Sequence, residues 1–95
     1  MRLITVEEVL YFQADSKYTL VVMADGEAVI RKTIAELLAE LDPELFWQIH
    51  RSTIVNVNEI AAVHRKGNGT LDVRLKRHAQ TLPVSTTFAY LFRQM

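Results

Sequence analysis

The stretch IHRSTIVNVNEI, residues 49–60, decides how this chain is read. Ile54, Val55 and Val57 are β-branched and apolar, the side chains that pack on a buried strand. Set among them are His50, Arg51, Ser52, Asn56 and Asn58, all of which hydrogen-bond. Two readings stand at this point. The polar residues either cap and turn the chain locally, or they face a polar partner.

Working toward the C-terminus, the β pattern resumes in EIAAVHR and turns at Gly67-Asn68-Gly69, where glycine is free to take positive φ. TLDVRLK follows with Leu71, Val73 and Leu75 on one face and Asp72, Arg74 and Lys76 on the other, a half-buried strand. A second turn around Arg77-His78 leads to QTLPV, where Pro83 implies an edge strand or a strand end. Ser85 then reads as a helix N-cap, and Phe88, Leu91, Phe92 and Met95 as the apolar stripe behind it.

Working toward the N-terminus, Thr33 and Glu36 fit a capping box. Ile34, Leu37, Leu38 and Leu41 recur at helical spacing, and Pro43 closes the segment, so 33–41 is a short amphipathic helix. Before it lie VLYFQA, with Leu10 and Phe12 alternating against Tyr11 and Gln13, then YTLVVMA and EAVIR around an Asp25-Gly26 hairpin signal. The expectation is a mostly β fold with two short α-helices, forming one domain over residues 1–95.

Composition narrows the class. Ninety-five residues hold one modest core, and an apolar fraction of 49% with 23% charged is ordinary for a globular domain. Cysteine is absent, which excludes disulfides and thiolate metal sites and suits a cytoplasmic location. MRLITVEEVL carries Glu7 and Glu8 and reads as neither signal peptide nor membrane span. The net charge of zero conceals an asymmetry. Residues 1–47 hold four Lys or Arg against nine Asp or Glu, while residues 48–95 hold seven against two. A basic half attracts an anion such as nucleic acid, unless the halves pair with each other in the fold.

Enzymatic chemistry finds little support. Ser52 and Ser85 are the candidate nucleophiles and His50 stands two residues from Ser52, but no Gly-x-Ser-x-Gly elbow surrounds either serine. His50, His64 and His78 are spaced fourteen apart, unlike a helical zinc pair, and no cysteine supports them. Glu7 and Glu8 are expected to be neighbours on a strand and so to point to opposite faces. KGNG precedes a strand, so it is a turn and not a phosphate cradle. Neither catalysis, metal nor cofactor is expected. The 33–41 helix carries Glu36 and Glu40 outward, so contact with nucleic acid falls to loops and strand ends.

Taken together the pattern resembles the LytTR family, the DNA-binding output domain of LytR/AlgR-type response regulators. VLYFQADSKYTLVV, ELLAELDPELFWQIHRSTIVNVNEIAAVHR and LPVSTTFAYLF carry the resemblance over nearly the whole chain. Its most specific parts are the F-x-x-I-H-R-S-x-I-V-N order from Phe46 to Asn56 and the later P-V-S.

The resemblance implies an elongated arrangement of small antiparallel sheets. It also implies binding of double-stranded DNA by loop side chains that enter successive major grooves, commonly by two copies on short direct repeats. Carried over by position, the loop from Asp15 to Thr19 is a contact loop. Lys17 is its phosphate partner, and Tyr18 or Thr19 could reach a base edge. Arg51 is the expected base reader, because its fork matches the two major-groove acceptors of guanine. His50 either touches a phosphate or holds the loop by a buried hydrogen bond; Ser52 caps locally and Asn56 fixes the loop. In the third contact loop, Thr86 and Thr87 stand where many family members have an arginine, and threonine cannot make that bidentate contact. Lys76 and Arg77, with His78, are either phosphate contacts or a solvated hairpin tip.

The expected function is therefore sequence-specific DNA binding as the output domain of a bacterial two-component transcription regulator, without a cofactor. The alternative is a protein-interaction module that kept the fold and lost DNA binding. Receiver domains precede this domain in most of the family, so the chain is expected to be an excised output domain or a stand-alone regulator.

Overall fold

The structure is a computed structural model and describes residues 5–93. Among the described residues eight strands form two antiparallel sheets. The first sheet has five strands, β1 (Val9–Ala14), β2 (Thr19–Met23), β3 (Gly26–Ile30), β4 (Phe46–His50) and β5 (Thr53–Asn56), in the order β3-β2-β1-β5-β4. The second has three, β6 (Ile60–Arg65), β7 (Leu71–Leu75) and β8 (Thr81–Val84), in that order. Between β3 and β4 runs the helix α1 (Ile34–Glu40), and a 3-10 helix (Thr86–Phe92) follows β8. The principal extents are 44 × 25 × 24 Å, so the elongated form that the family resemblance implied is present.

Both faces of the five-stranded sheet are covered. On one side Leu10, Tyr11, Val22, Ile49 and Val55 pack with Leu71, Val73, Leu75, Leu82 and Val84 of the second sheet and with Phe92. On the other, Val9, Phe12, Val21, Phe46 and Ile54 pack against Ile34 and Leu37 of α1. Double coverage explains why β1 does not alternate as expected. Val9, Leu10, Tyr11 and Phe12 are all buried. A β-bulge inserts Leu10 between the pairs Val9–Met23 and Tyr11–Val22, which sends Leu10 and Tyr11 toward the same layer. A second bulge inserts Ile49 between Gln48–Ile54 and His50–Thr53. Leu10, Ile49 and Ile54 are fully buried, each contributing about 1.5–3 kcal/mol of hydrophobic stabilisation.

The stretch that opened the sequence reading now has a shape. It supplies the end of β4, a two-residue turn at Arg51-Ser52, the whole of β5, a 3-10 turn (Val57–Glu59) and the start of β6. Ile54 and Val55 lie at 0% exposure, one on each face of the sheet. Asn56 is buried too; its Nδ2 donates to the carbonyl of Val9 at 2.9 Å and its Oδ1 accepts from the amide of Asn58 at 3.0 Å.

Three local expectations need correction. Glu7 and Glu8 stand in a 3-10 helix (Val6–Glu8), not on a strand. The β2–β3 turn consists of Ala24 and Asp25, because Gly26 already pairs with Met23 in the ladder. Burial of Val21, Val22 and Met23 sets that register, and the preference of Asp-Gly for a turn centre yields to it. The C-terminal helix is of the 3-10 type, and Ser85 makes no side-chain cap bond. Its backbone carbonyl accepts from the amide of Phe88 at 2.9 Å instead. Phe88, Leu91 and Phe92 pack inward as the stripe implied, while Met95 lies outside the described residues. The capping box is present in full: Thr33 Oγ1 accepts from Glu36 N, and Glu36 Oε1 accepts from Thr33 N.

Candidate nucleic-acid interface

Three of the segments singled out in the sequence meet at one end of the sheets. β1 and β2 are joined by a tight loop in which Asp15 N donates to Tyr18 O at 2.7 Å. Next to it is the β4–β5 turn, since Ala14 N donates to Ser52 O at 2.8 Å, one step past the β1–β5 ladder. The segment after β8 is fastened to the same place by Ser85 N, which donates to Ile49 O at 2.8 Å. Two backbone hydrogen bonds thus tie the loops bearing Lys17, Arg51 and Thr86 into one array.

Within the array the side chains divide into supporting and outward-facing groups. Thr19 is buried and its hydroxyl donates to the carbonyl of Lys32 at 2.5 Å, so it braces the loop and does not reach outward. Lys17 and Tyr18 are exposed, Tyr18 at 45%. Arg51 is exposed at the tip of its turn, and Thr86 and Thr87 are exposed at the start of the 3-10 helix. His50 is half-buried; its Nδ1 lies 3.0 Å from Ser52 Oγ and accepts from Ser52 N at 3.3 Å. An accepting Nδ1 puts the proton of the neutral ring on Nε2, leaving one donor for an outside acceptor. His50 therefore locks the turn with one nitrogen and keeps the other.

The His50–Ser52 contact has the length of a base–nucleophile pair, but it is made inside a tight turn. Ser52 Oγ also meets Thr53 Oγ1 at 3.4 Å, and among the described residues no carboxylate hydrogen-bonds to the His50 ring. The pair reads as a turn lock. The other two histidines are placed apart, with His64 exposed on β6 and the His78 ring edge-on to Tyr11 at 5.8 Å. Burial, with Glu27 nearby, raises the Tyr11 phenol above its ordinary range.

Lys76 and Arg77 are not part of the array. Arg77 borders a concavity with Glu8, Ala24 and Asp25, beside the β2–β3 turn, which the β1–β2 register sets at the opposite end of the sheet from Lys17. Five residues of strand separate the two ends, roughly 17 Å. There Arg77 makes a bidentate pair with Glu59, Nε to Oε1 at 3.1 Å and NH2 to Oε2 at 2.9 Å, which raises its pKa further. Sequence reasoning passed over Arg31 and Lys32, which stand beside Lys17 and Arg51 around one concavity of about 350 Å³. The signal available was weak: two adjacent cations in an otherwise acidic half.

Among the described residues the ion pairs do not join the basic half to the acidic half, although Asp25 acts electrostatically on Arg77. Lys32–Glu40, Lys66–Asp72 and Arg77–Glu59 each join residues of the same half. Among the described residues Lys17, Arg31 and Arg51 have no ion-pair partner. Metal-binding groupings of three or more His, Cys, Asp or Glu are absent among the described residues, and no described helix is long and apolar enough to cross a membrane.

Known proteins resemble this chain along its whole length. The family model described as LytTr DNA-binding domain matches residues 1–95. A response regulatory protein of Vibrio cholerae is 42% identical over 97 residues, covering 98% of this chain and 36% of that protein. The transcriptional regulatory protein YpdB of Escherichia coli is 32% identical over 90 residues, covering 95% of this chain and 37% of that one. This chain thus spans little more than a third of the length of these curated relatives. Among solved structures, a LytTr DNA-binding domain from Bacillus cereus superposes with a TM-score of 0.87 at 28% identity, covering 96% of this chain and 83% of that one.

Proposed function

The chain belongs to the LytTr DNA-binding domain family, and on that premise we propose that it reads double-stranded DNA with its three-loop array. The observation that carries the proposal is the convergence of Lys17, Arg51 and Thr86 on one end of the sheets, with both cations exposed and, among the described residues, without an ion-pair partner. Arg51 reads a guanine in the major groove, where its planar fork spans N7 and O6. Lys17 and the free Nε2 of His50 neutralise or bond phosphates and fix the register of the domain on the duplex. Tyr18 reaches a neighbouring base edge or sugar. Thr86 and Thr87 bond a phosphate or touch a thymine methyl, a weaker readout than arginine gives.

The support for Arg51 is rigid. Its turn stands on fully buried Ile49 and Ile54, and base readout needs fixed geometry. A single module of this size binds one half-site weakly, so two copies on short direct repeats account best for useful affinity. In a longer protein the domain serves as the output of a response regulator in the cytoplasm, its pairing governed by a preceding receiver.

A second reading, a protein-interaction module on the same fold, is favoured by Thr86 and Thr87 standing where an arginine would read a base. Selection from a random duplex library at two salt concentrations separates the two. The DNA reading expects recovery of two short repeats about one helical turn apart, with enrichment that weakens as salt rises. Recovery of nothing above background would turn the account toward a protein partner.

A further inference from the structure

We propose that Arg31 brings a fourth segment into contact with DNA, as a guanidinium that binds a backbone phosphate beside Lys17, and this rests on the duplex-binding reading above. The starting observation is the β2–β3 register, which ends in the pair Thr19–Ile30. That pair brings the end of β3 to the same edge as the β1–β2 loop. The hydroxyl of Thr19 then fastens the next segment in place through the carbonyl of Lys32. Arg31 is carried on a braced strand end, not on a loose linker.

Its charge environment points to an anion. The concavity of about 350 Å³ gathers Lys17, Arg31, Lys32 and Arg51 around one carboxylate, Asp15, whose Oδ1 already accepts from Ser16 N. Lys32 is neutralised by its ion pair with Glu40. Arg31 is exposed and, among the described residues, has no carboxylate partner. Gathering like charges in this way opposes folding slightly and is offset only when a polyanion supplies the opposite sign. Guanidinium suits a phosphodiester in particular, since its parallel N–H groups meet two phosphate oxygens together. Lys17 and Arg51 flank the same hollow, so a strand whose base meets Arg51 runs its phosphates past Arg31.

The neighbouring pair of cations supplies its own control. Arg31 is free to neutralise a phosphate and Lys32 is already held, so the two adjacent positions should differ sharply. Binding of the 95-residue chain to a pool of random-sequence duplexes is followed by fluorescence anisotropy from about 50 to 200 mM salt. Each phosphate contact contributes roughly 0.9 to the slope of log affinity against log salt. Arg31→Ala is expected to reduce the slope by about that amount, Arg31→Lys to restore most of it, and Lys32→Ala to change it little. Glu40→Gln, which releases Lys32, is expected to steepen it. Thermal melting of each variant checks the fold, which these exposed side chains leave intact. A slope for Arg31→Ala equal to that of the unsubstituted chain overturns the fourth contact and leaves the duplex reading standing. If the unsubstituted chain shows no salt-dependent binding to any duplex, the duplex reading falls and this contact with it.

Discussion

Ser52 accepts a hydrogen bond from the amide of Ala14 at 2.8 Å, so the loop bearing Lys17 and the turn bearing Arg51 are held as one unit. Fixed relative placement is what the proposed readout by these two cations requires. Arg51→Ala is expected to weaken binding to the selected repeat by about 1–3 kcal/mol, roughly 5- to 150-fold, and to relax preference at a single base position. Competition between the selected duplex and versions altered at each guanine measures both effects. Uniform loss across all positions would reassign Arg51 to a phosphate.

Arg77, at the far end of the sheet and paired with Glu59, should behave differently. Arg77→Ala is expected to leave duplex affinity and its salt slope unchanged. The same titration tests this, and a slope lowered by about 0.9 would place the β7–β8 turn on the duplex after all.

Asn56 joins two segments that the chain brings together from far apart, through Val9 O and Asn58 N. Asn56→Leu removes both bonds in a buried place. Each partner left unpaired costs about 1–3 kcal/mol, which urea unfolding would register as a lower midpoint with an unchanged slope.

The capping box of α1 makes a pH-dependent contribution. Glu36 is held below the ordinary carboxylate range, first by the amide of Thr33 and then by the Thr33 side chain. A carboxyl whose pKa falls on folding stabilises the fold above its unfolded value and loses that contribution as pH drops through the folded one. Thr33→Ala keeps the backbone amide and removes only the hydroxyl, so it is expected to cost about 0.5–2 kcal/mol at neutral pH and to raise the Glu36 pKa part of the way. An NMR titration of the Glu36 carboxyl reads the shift, and melting against pH should flatten in the acidic range.

Much of this arrangement was legible in the residues. The period change at Thr33 and the alternation of Leu71, Val73 and Leu75 each matched an element, and the I-H-R-S segment matched an exposed turn. What escaped had one cause: side chains whose roles depend on partners distant in sequence. Thr19 reads as a polar loop residue until Lys32 is seen to accept its hydroxyl. Tyr11 reads as outward-facing until the second sheet is seen to cover it and the bulge at Leu10 to turn it inward. Arg31 reads as an ordinary strand-end cation until the ladder sets it beside Lys17. Local pattern cannot report which strand end lies next to which loop.

The bulge at Ile49 sits immediately before His50 and Arg51. Because side chains alternate along a strand, that one extra residue fixes the direction in which the turn presents its tip. Chain length at this point therefore sets the aim of the turn, together with the burial of Ile49. On the proposed duplex reading, exchange of Arg51, Tyr18 or Thr86 changes the preferred sequence within the same fold. Losing a single residue at position 49 would instead aim the whole turn at the wrong side.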